Sequence, residues 1–552
     1  MKHILQSAIL IALCFCNYSV FSQMSYGGEP YSFKHSNISE AVPFIEMDRI
    51  DAEQLLAEDA LVGKEQALRI GVVQPINYTK ENCGRIDYLP DGGYIWRVGI
   101  YCPDATFASI NFSKFIIPKE AELFVYTKDK DFVIGKFTHE NQMEGEIFYP
   151  QDIPGEAFII EYYEPGNAEF NGILEMDEVL NGYRDIFNVK DDTKGGLGSA
   201  NGTCHPNAVC LDAQWHDQIN SVVCYTMTAG VYVYMCSGAM VNNTARNGKK
   251  YVLTADHCYN SGATWKFYFN YQTSTCNGTT GPYNRSATGC NVRARGSAST
   301  SSDFMLLEIT GTINSIYNAY LAGWNNTTTT PSSGMCIHHP GGDLKKISTP
   351  ATIRNGALVY SNRTKYWITT WNYSTGTTEQ GSSGSPLFNQ NKLIVGQLFA
   401  GSSSCVSVPG DDGQAGPSGA DIYGKFSNSW TNNNNSNNAK KLKPWLDPNN
   451  TGATTLQGEY LNSIGIANYT EVVNALTVYP NPSNGIVTVS GSFESNEGVC
   501  NIYNTLGANV LSRNISLEPE FTMNLNDLMP GIYFIEINDN TNVYRSKIII
   551  TK

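Results

Sequence analysis

Apolar residues along this chain fall in short runs, rich in aromatic and β-branched side chains and separated by Gly, Asn, Ser and Pro. Tyr94-Ile-Trp-Arg-Val-Gly-Ile-Tyr101, Glu122-Leu-Phe-Val-Tyr126 and Ala157-Phe-Ile-Ile-Glu-Tyr162 are of this kind, with turn residues such as Pro90-Asp-Gly-Gly93 between them. So are Tyr251–Ala255, Phe304–Ile309, Leu387-Phe388 and Leu393–Gly396, and, near the C-terminus, Gly531–Ile537 and Lys547–Thr551. Runs this short, bounded by turn formers, predict strands rather than helices. The fold class expected is therefore all-β.

The first apolar run is different. Met1-Lys2-His3 precedes Ile4–Phe15, and Val20-Phe21-Ser22-Gln23 offers a small-residue cleavage point. This predicts a secretory signal over residues 1–22, too short and wrongly flanked for a membrane span. No other run reaches the roughly 18 apolar residues that a spanning helix needs. Cys14 and Cys16 leave with the signal, and the remaining cysteines sit in an exported chain, where disulfides are expected. A length of 552 residues allows about three domains, and a net charge of −14 argues against a nucleic-acid partner.

Three polar residues next to predicted strands carry the candidate chemistry. Gly381-Ser-Ser-Gly-Ser-Pro386 places Ser383 between two glycines on a turn, where backbone N–H groups can face an oxyanion. His257 follows the run Tyr251–Ala255, and Asp303 stands at the mouth of the run Phe304–Ile309. The order His, Asp, Ser is that of chymotrypsin-type enzymes and differs from the subtilisin and α/β-hydrolase orders. In that reading Ser383 attacks a carbonyl, His257 carries the proton, and Asp303 fixes the imidazole tautomer. The N–H groups of Gly381 and Ser383 form the oxyanion hole. Asp256 is a rival for the acid, but a residue adjacent to the histidine in a turn rarely reaches its ring, so Asp303 is preferred.

These stretches belong to a longer ordered set: Cys236-Ser-Gly-Ala-Met-Val-Asn-Asn-Thr, Leu253-Thr-Ala-Asp-His-Cys258, Asn270-Tyr-Gln-Thr-Ser-Thr-Cys276, Ser302-Asp-Phe-Met-Leu-Leu-Glu308, Ile337-His-His-Pro340, Gly381–Pro386 and Gly396-Gln-Leu398. In this set the region from about 200 to 455 resembles the lysyl endopeptidases, secreted bacterial serine proteases. The resemblance implies a chymotrypsin-like double β-barrel with the site between the barrels. It also implies a secreted serine endopeptidase, made as a zymogen and cutting after Lys, with no cofactor and no metal. It further implies the disulfides Cys204–Cys405, Cys210–Cys276 and Cys236–Cys258. Spacing alone does not determine connectivity. Cys83–Cys102 and Cys290–Cys336 are further pairings the chain admits, with Cys224 and Cys500 left over. His338, His339 and Asp343 invite a metal reading, but adjacent strand residues face opposite ways, and the family carries the pair without a metal role.

Specificity is also read through the resemblance. The trypsin pocket acid lies six positions before the serine, and here that position is Thr377. The lysyl endopeptidases instead place an acid after the serine in Ser-Asp-x-Tyr-Gly, matched here by Ala420-Asp421-Ile-Tyr-Gly424. Asp421 is therefore the expected substrate-binding residue, since a buried carboxylate is costly unless a cation answers it. Two departures stand out: Phe399 occupies the family's histidine position, and the pocket tryptophan has no clear match, with Tyr360 nearest by spacing. Weaker exclusion of Arg is expected.

The flanks complete the domain reading. Residues 23–194 form a β-rich segment without a catalytic constellation, placed where a propeptide would stand. Lys194 and Gly195, in Asp191-Asp-Thr-Lys-Gly-Gly-Leu-Gly198, form the expected activation bond, with Lys190 as the nearest alternative. The protease domain is expected over 195–455 and a linker over 456–474. From 475 to 552, Tyr479-Pro-Asn-Pro482 and Pro530-Gly-Ile-Tyr533 resemble the C-terminal sorting domains of the type IX secretion system of Bacteroidetes, which implies a β-sandwich and that secretion machinery as a partner. Protein or peptide substrates are the other partners expected, and the location is extracellular or cell-surface, reached through the periplasm. The competing class is a catalytically inactive homologue acting as an adhesin; the intact triad and glycine turn argue against it.

Overall fold

The computed structural model describes residues 28–35, 38–187, 204–356, 365–372, 375–407, 415–432, 435–461 and, with short gaps, 476–551. The chain divides into two compact units, Met1–Asn462 and Ser463–Lys552. The signal assigned to residues 1–22 and the bond Lys194–Gly195 lie outside the described residues, as does Lys190.

Three sheets dominate the first unit. The most N-terminal runs in the order Phe44–Glu46, Tyr94–Tyr101, Ala157–Glu164, Glu122–Thr127, Val133–Phe137, with Arg85–Tyr88 also paired to Tyr94–Tyr101. Its central strand Tyr94–Tyr101 is buried on both faces, which explains a nearly continuous apolar run in place of strict alternation.

The second sheet holds the first barrel. Ser286–Thr288, Trp265–Phe269, Val222–Ala229 and Tyr232–Val241 pair in that order, and Tyr251–Ala255, Phe304–Ile309 and Cys290–Gly296 continue from Tyr232–Val241. The same sheet also runs outward. Leu68–Thr79, from the segment read as a propeptide, pairs antiparallel with Tyr232–Val241, in the register Leu68 to Met235 and Arg69 to Tyr234. Ile173–Gly182, Phe107–Ile116 and Ile153–Pro154 follow it. A fully buried ion pair, Lys266 Nζ to Asp152 at 2.6 Å, crosses between the same two segments.

The second barrel is built from Lys346–Ser348, Gly334–His338, Pro386–Asn389, Ile394–Gly401, Asp421–Lys425, Tyr366–Trp371 and Pro350–Asn355. The two ends of this path are neighbours in sequence, separated by Thr349 alone, so the sheet curls back on itself. Trp324, Phe388, Ile394, Phe426 and Leu446 lie in the core shared with Leu253, Phe304 and Leu306 of the first barrel. The residues expected to open a linker at 456 are instead paired within the first unit: Thr455–Leu456 pairs with Trp324–Asn325, and Glu459–Tyr460 with Tyr320–Leu321.

The second unit has two sheets around its own core. One contains Thr477–Tyr479, Ile486–Ser490 and Glu520–Asn524; the other contains Asn509–Ser516, Glu497–Asn504, Gly531–Asn538 and Val543–Ile550. Val487, Val489, Cys500, Ile502, Ile535, Ile537 and Ile548 fill the space between them. Here the strands alternate buried and exposed positions, as in a sandwich with one wet face per sheet.

Candidate active site

Two neighbouring strands of the first barrel bring His257 and Asp303 together. Tyr251–Ala255 pairs antiparallel with Phe304–Ile309, and Ala255 faces Phe304. His257 sits in the single 3-10 turn Asp256–Cys258 that ends the first strand, and Asp303 immediately precedes the second. Asp303 has φ +55°, a region that short polar residues tolerate better than others. In that conformation its Oδ2 lies 2.7 Å from His257 Nδ1, and its Oδ1 accepts from the His257 backbone N–H at 3.0 Å. Burial pushes the Asp303 carboxyl up, and the neighbouring His257 opposes that shift. Asp256 turns away to Arg295, with contacts of 2.5 and 3.2 Å.

The Ser383 turn is docked on the first barrel by Ser237. The Ser237 backbone N–H donates to the Ser383 carbonyl at 2.9 Å, and its hydroxyl donates to the Gly381 carbonyl at 2.8 Å. Gly384 has φ +80°, and a Cβ there would lie 2.0 Å from Thr254 Oγ1 and 2.5 Å from the Ser237 carbonyl. Any side chain at 384 would lift Ser383 off the strand that leads to His257. Among the described residues the N–H groups of Gly381 and Ser383 have no backbone partner. His257 Nε2 is buried and likewise has no hydrogen-bond partner among the described residues.

Asp421 is completely buried at the start of Asp421–Lys425. Its Oδ2 accepts from Trp371 Nε1 at 2.7 Å, Thr378 Oγ1 at 2.6 Å and Ser403 Oγ at 2.5 Å. Its Oδ1 is 3.3 Å from the ammonium of Lys64, a residue of the N-terminal segment. That ammonium also donates to Ser403 Oγ at 2.8 Å and Thr378 Oγ1 at 3.1 Å. At the other end of the same residue, the Ser383 hydroxyl donates to the Lys64 carbonyl at 3.2 Å. The two preceding carbonyls, of Val62 and Gly63, accept from Gln380 Nε2 at 2.9 and 3.3 Å.

Trp371, Thr378, Ser403, Ser237 and Lys64 are thus site residues that sequence reasoning passes over. Thr378 is next to Thr377, the position of a trypsin-type acid, and Trp371 is the aromatic residue that reaches Asp421; Tyr360 lies outside the described residues. Phe399 packs edge-on against the His257 ring at 6.0 Å.

The cysteines divide as follows. Cys210 is joined to Cys276, and Cys236 to Cys258, the latter bracing the turn that carries His257. Cys204 is disulfide-bonded, and the Cys405 side chain lies outside the described residues. The two additional pairings are not formed. Cys83 and Cys102 are both free. Cys290 lies on a first-barrel strand, whereas Cys336 is buried in the second barrel beside Ser385 Oγ, so these two are also free. His338 and His339 engage separate partners: the first contacts Ser382 and Ser348 hydroxyls, and the second stacks on Tyr271.

Two barrels with a His–Asp pair on one and a serine turn on the other make up the fold of the chymotrypsin-like serine proteases. Residues 198–424 match the model of the lysyl endopeptidase C-terminal domain, and residues 477–551 match that of the secretion system C-terminal sorting domain. A lysyl endopeptidase of Pseudomonas aeruginosa is 28% identical over 271 residues, covering 46% of this chain and 56% of the relative. The chain thus spans about half the length of the curated relative it matches. Among solved structures, the protease Anisep from Arthrobacter nicotinovorans is 17% identical, with a TM-score of 0.27, covering 40% of this chain and 93% of the other. A Glu endopeptidase in complex with MPD is 19% identical, with a TM-score of 0.24, covering 41% and 91%.

Proposed function

We propose that the two-barrel domain is a secreted serine endopeptidase that cuts after Lys and is made as a zymogen. The observation that carries this reading is Lys64, whose ammonium meets Asp421 while its carbonyl meets Ser383. The distance between those two ends of one lysine sets the reach from pocket to nucleophile.

In this mechanism the Ser383 hydroxyl adds to the carbonyl carbon of a lysyl residue, and its proton passes to His257 Nε2. Asp303 holds Nδ1–H and stabilises the imidazolium. The free N–H groups of Gly381 and Ser383 receive the developing oxyanion. His257 then delivers the proton to the leaving amine, and water repeats the sequence on the acyl-enzyme. The preference for Lys rests on three oxygens, from Asp421, Thr378 and Ser403, which match the three N–H bonds of a compact ammonium better than a planar guanidinium.

Around this domain, residues 23–194 act as propeptide and residues 475–552 address the chain to the type IX exporter. Among the described residues no helix is long and apolar enough to cross a membrane. The test is a fluorophosphonate probe applied to the mature protein. Labelling at Ser383, lost in Ser383→Ala, is expected. A mature chain that leaves Ser383 unlabelled would favour the adhesin reading instead.

A further inference from the structure

Lys64 belongs to the same chain as the site it occupies. It lies in the loop 60–67 between the helix Ala52–Asp59 and the strand Leu68–Thr79. The loop fills the site as a substrate would at the pocket, with its side chain on Asp421 and its preceding carbonyls on Gln380, while the Lys64 carbonyl rests on the Ser383 hydroxyl, one step short of the Gly381 and Ser383 N–H groups. The next bond in the chain is Lys64–Glu65. We infer that Lys64–Glu65 is a self-cleavage site of this protein, and that the cut leaves the N-terminal domain seated on the protease. This inference rests on the function proposed above.

Retention follows from how the two sides of the bond are anchored. On the Lys64 side, Asp59 accepts from Arg184 at 2.7 Å, Tyr183 at 2.6 Å and Arg69 at 2.8 Å. Phe44–Glu46 further back is paired in the N-terminal sheet. On the Glu65 side, Leu68–Thr79 lies between Ile173–Gly182 and Tyr232–Val241. Arg69 and Asp59 therefore tie the two new ends together across the severed loop. A bond held this way can be cut while the lysyl product stays in the pocket. Removal of the domain then needs a separate cut closer to the protease.

The chemistry balances with one water. Ser383 Oγ bonds to the Lys64 carbonyl carbon as its proton goes to His257; the carbon–nitrogen bond breaks and His257 protonates the Glu65 amine. Water then hydrolyses the ester, leaving a Lys64 carboxylate and a free Ser383.

The experiment maps N-termini in full-length wild-type chain purified with its N-terminal domain, beside Ser383→Ala and Lys64→Gln. Wild type should yield a chain beginning Glu-Gln-Ala-Leu that stays with the protease on native gel filtration. Both variants should lack that terminus. Absence of the terminus in wild type that hydrolyses lysyl peptides and labels at Ser383 would overturn the inference alone. The same terminus in Ser383→Ala would overturn it too, since another protease would be responsible. Its release from the protease after cutting would overturn retention. Failure of the mature chain to label or hydrolyse would sink the functional reading first and this inference with it.

Discussion

The Trp371 indole N–H donates to Asp421 Oδ2 at 2.7 Å, so the buried carboxylate proposed as the pocket acid is aimed by a residue 50 positions earlier in the chain. With Thr378 and Ser403 on the same oxygen, three neutral donors hold one carboxylate in place. Oδ1 accepts from the Ser403 backbone N–H at 3.4 Å and also faces the Lys64 ammonium. Trp371→Phe should weaken that hold while keeping an aromatic wall. A hydrogen bond to a charged group is worth about 1.5–3 kcal/mol, so kcat/KM for lysyl substrates should fall roughly ten- to a hundredfold. Steady-state kinetics on a lysyl amide substrate check this, and an unchanged kcat/KM would remove Trp371 from the pocket's support.

Ser383→Ala should reduce kcat by a factor on the order of 10⁶, and His257→Ala by nearly as much, because the two act as a unit. Asp303→Asn should cost about 10⁴ through the wrong imidazole tautomer. Asp256→Asn should cost far less, because Asp256 pairs with Arg295 and not with the imidazole. Equal losses at 256 and 303 would contradict the assignment of the acid.

Two buried bases give stability a pH dependence with a definite sign. Burial lowers the His339 pKa from 6.5 to about 3. Between those values the unfolded chain binds the proton and the folded one does not, so stability falls as pH drops through that window. Burial likewise lowers Lys345 from 10.5 to about 7, with its ammonium on the Ile219 carbonyl at 2.8 Å. Over that range the unfolded state again binds more protons, so stability rises with pH, by up to about 1.4 kcal/mol per pH unit. Lys345→Met should flatten the alkaline rise in denaturant midpoints while leaving the acid limb. An alkaline rise unchanged in Lys345→Met would refute it.

The Cys236–Cys258 bridge closes a separation of 22 residues around the strand and turn bearing His257. Replacing both cysteines by Ala should lower stability by roughly 2–4 kcal/mol. Loss of activity should precede global unfolding on heating, seen by comparing residual turnover with circular dichroism. Coincident transitions would argue that the bridge steadies the whole barrel and not the His257 turn in particular.

The legible parts of this protein were those with local signatures. His257 and Asp303 stood out because each adjoins a strong apolar run, and Ser383 because two glycines flank it. Short runs between turn formers carried the all-β class, whereas the two barrels and the sandwich were expected only through the resemblance to the lysyl endopeptidases and to the sorting domains. Lys64, Trp371, Ser403 and Ser237 were not legible, because each acts through partners distant in sequence. Lys64 meets Asp421 across 357 residues and, between Gly63 and Glu65, carries no local pattern. Cys290 and Cys336 looked pairable by count, yet the topology assigns them to different barrels.

Processing at the other end of the N-terminal segment tests the same preference. The expected bond is Lys194–Gly195. Ser383→Ala produced in a host without Lys-specific proteases should accumulate as precursor. Added wild-type enzyme should convert it to a chain beginning Gly-Gly-Leu-Gly. Unaided maturation of the mutant at that bond would exclude self-processing.

Cleavage profiling of the mature protein on a mixed peptide library, beside Asp421→Asn, tests the central claim most directly. Wild type should cut after Lys above every other residue, with Arg a weaker second, and Asp421→Asn should lose that basic preference. Cleavage without basic preference in wild type, or an unchanged profile in Asp421→Asn, would contradict the account.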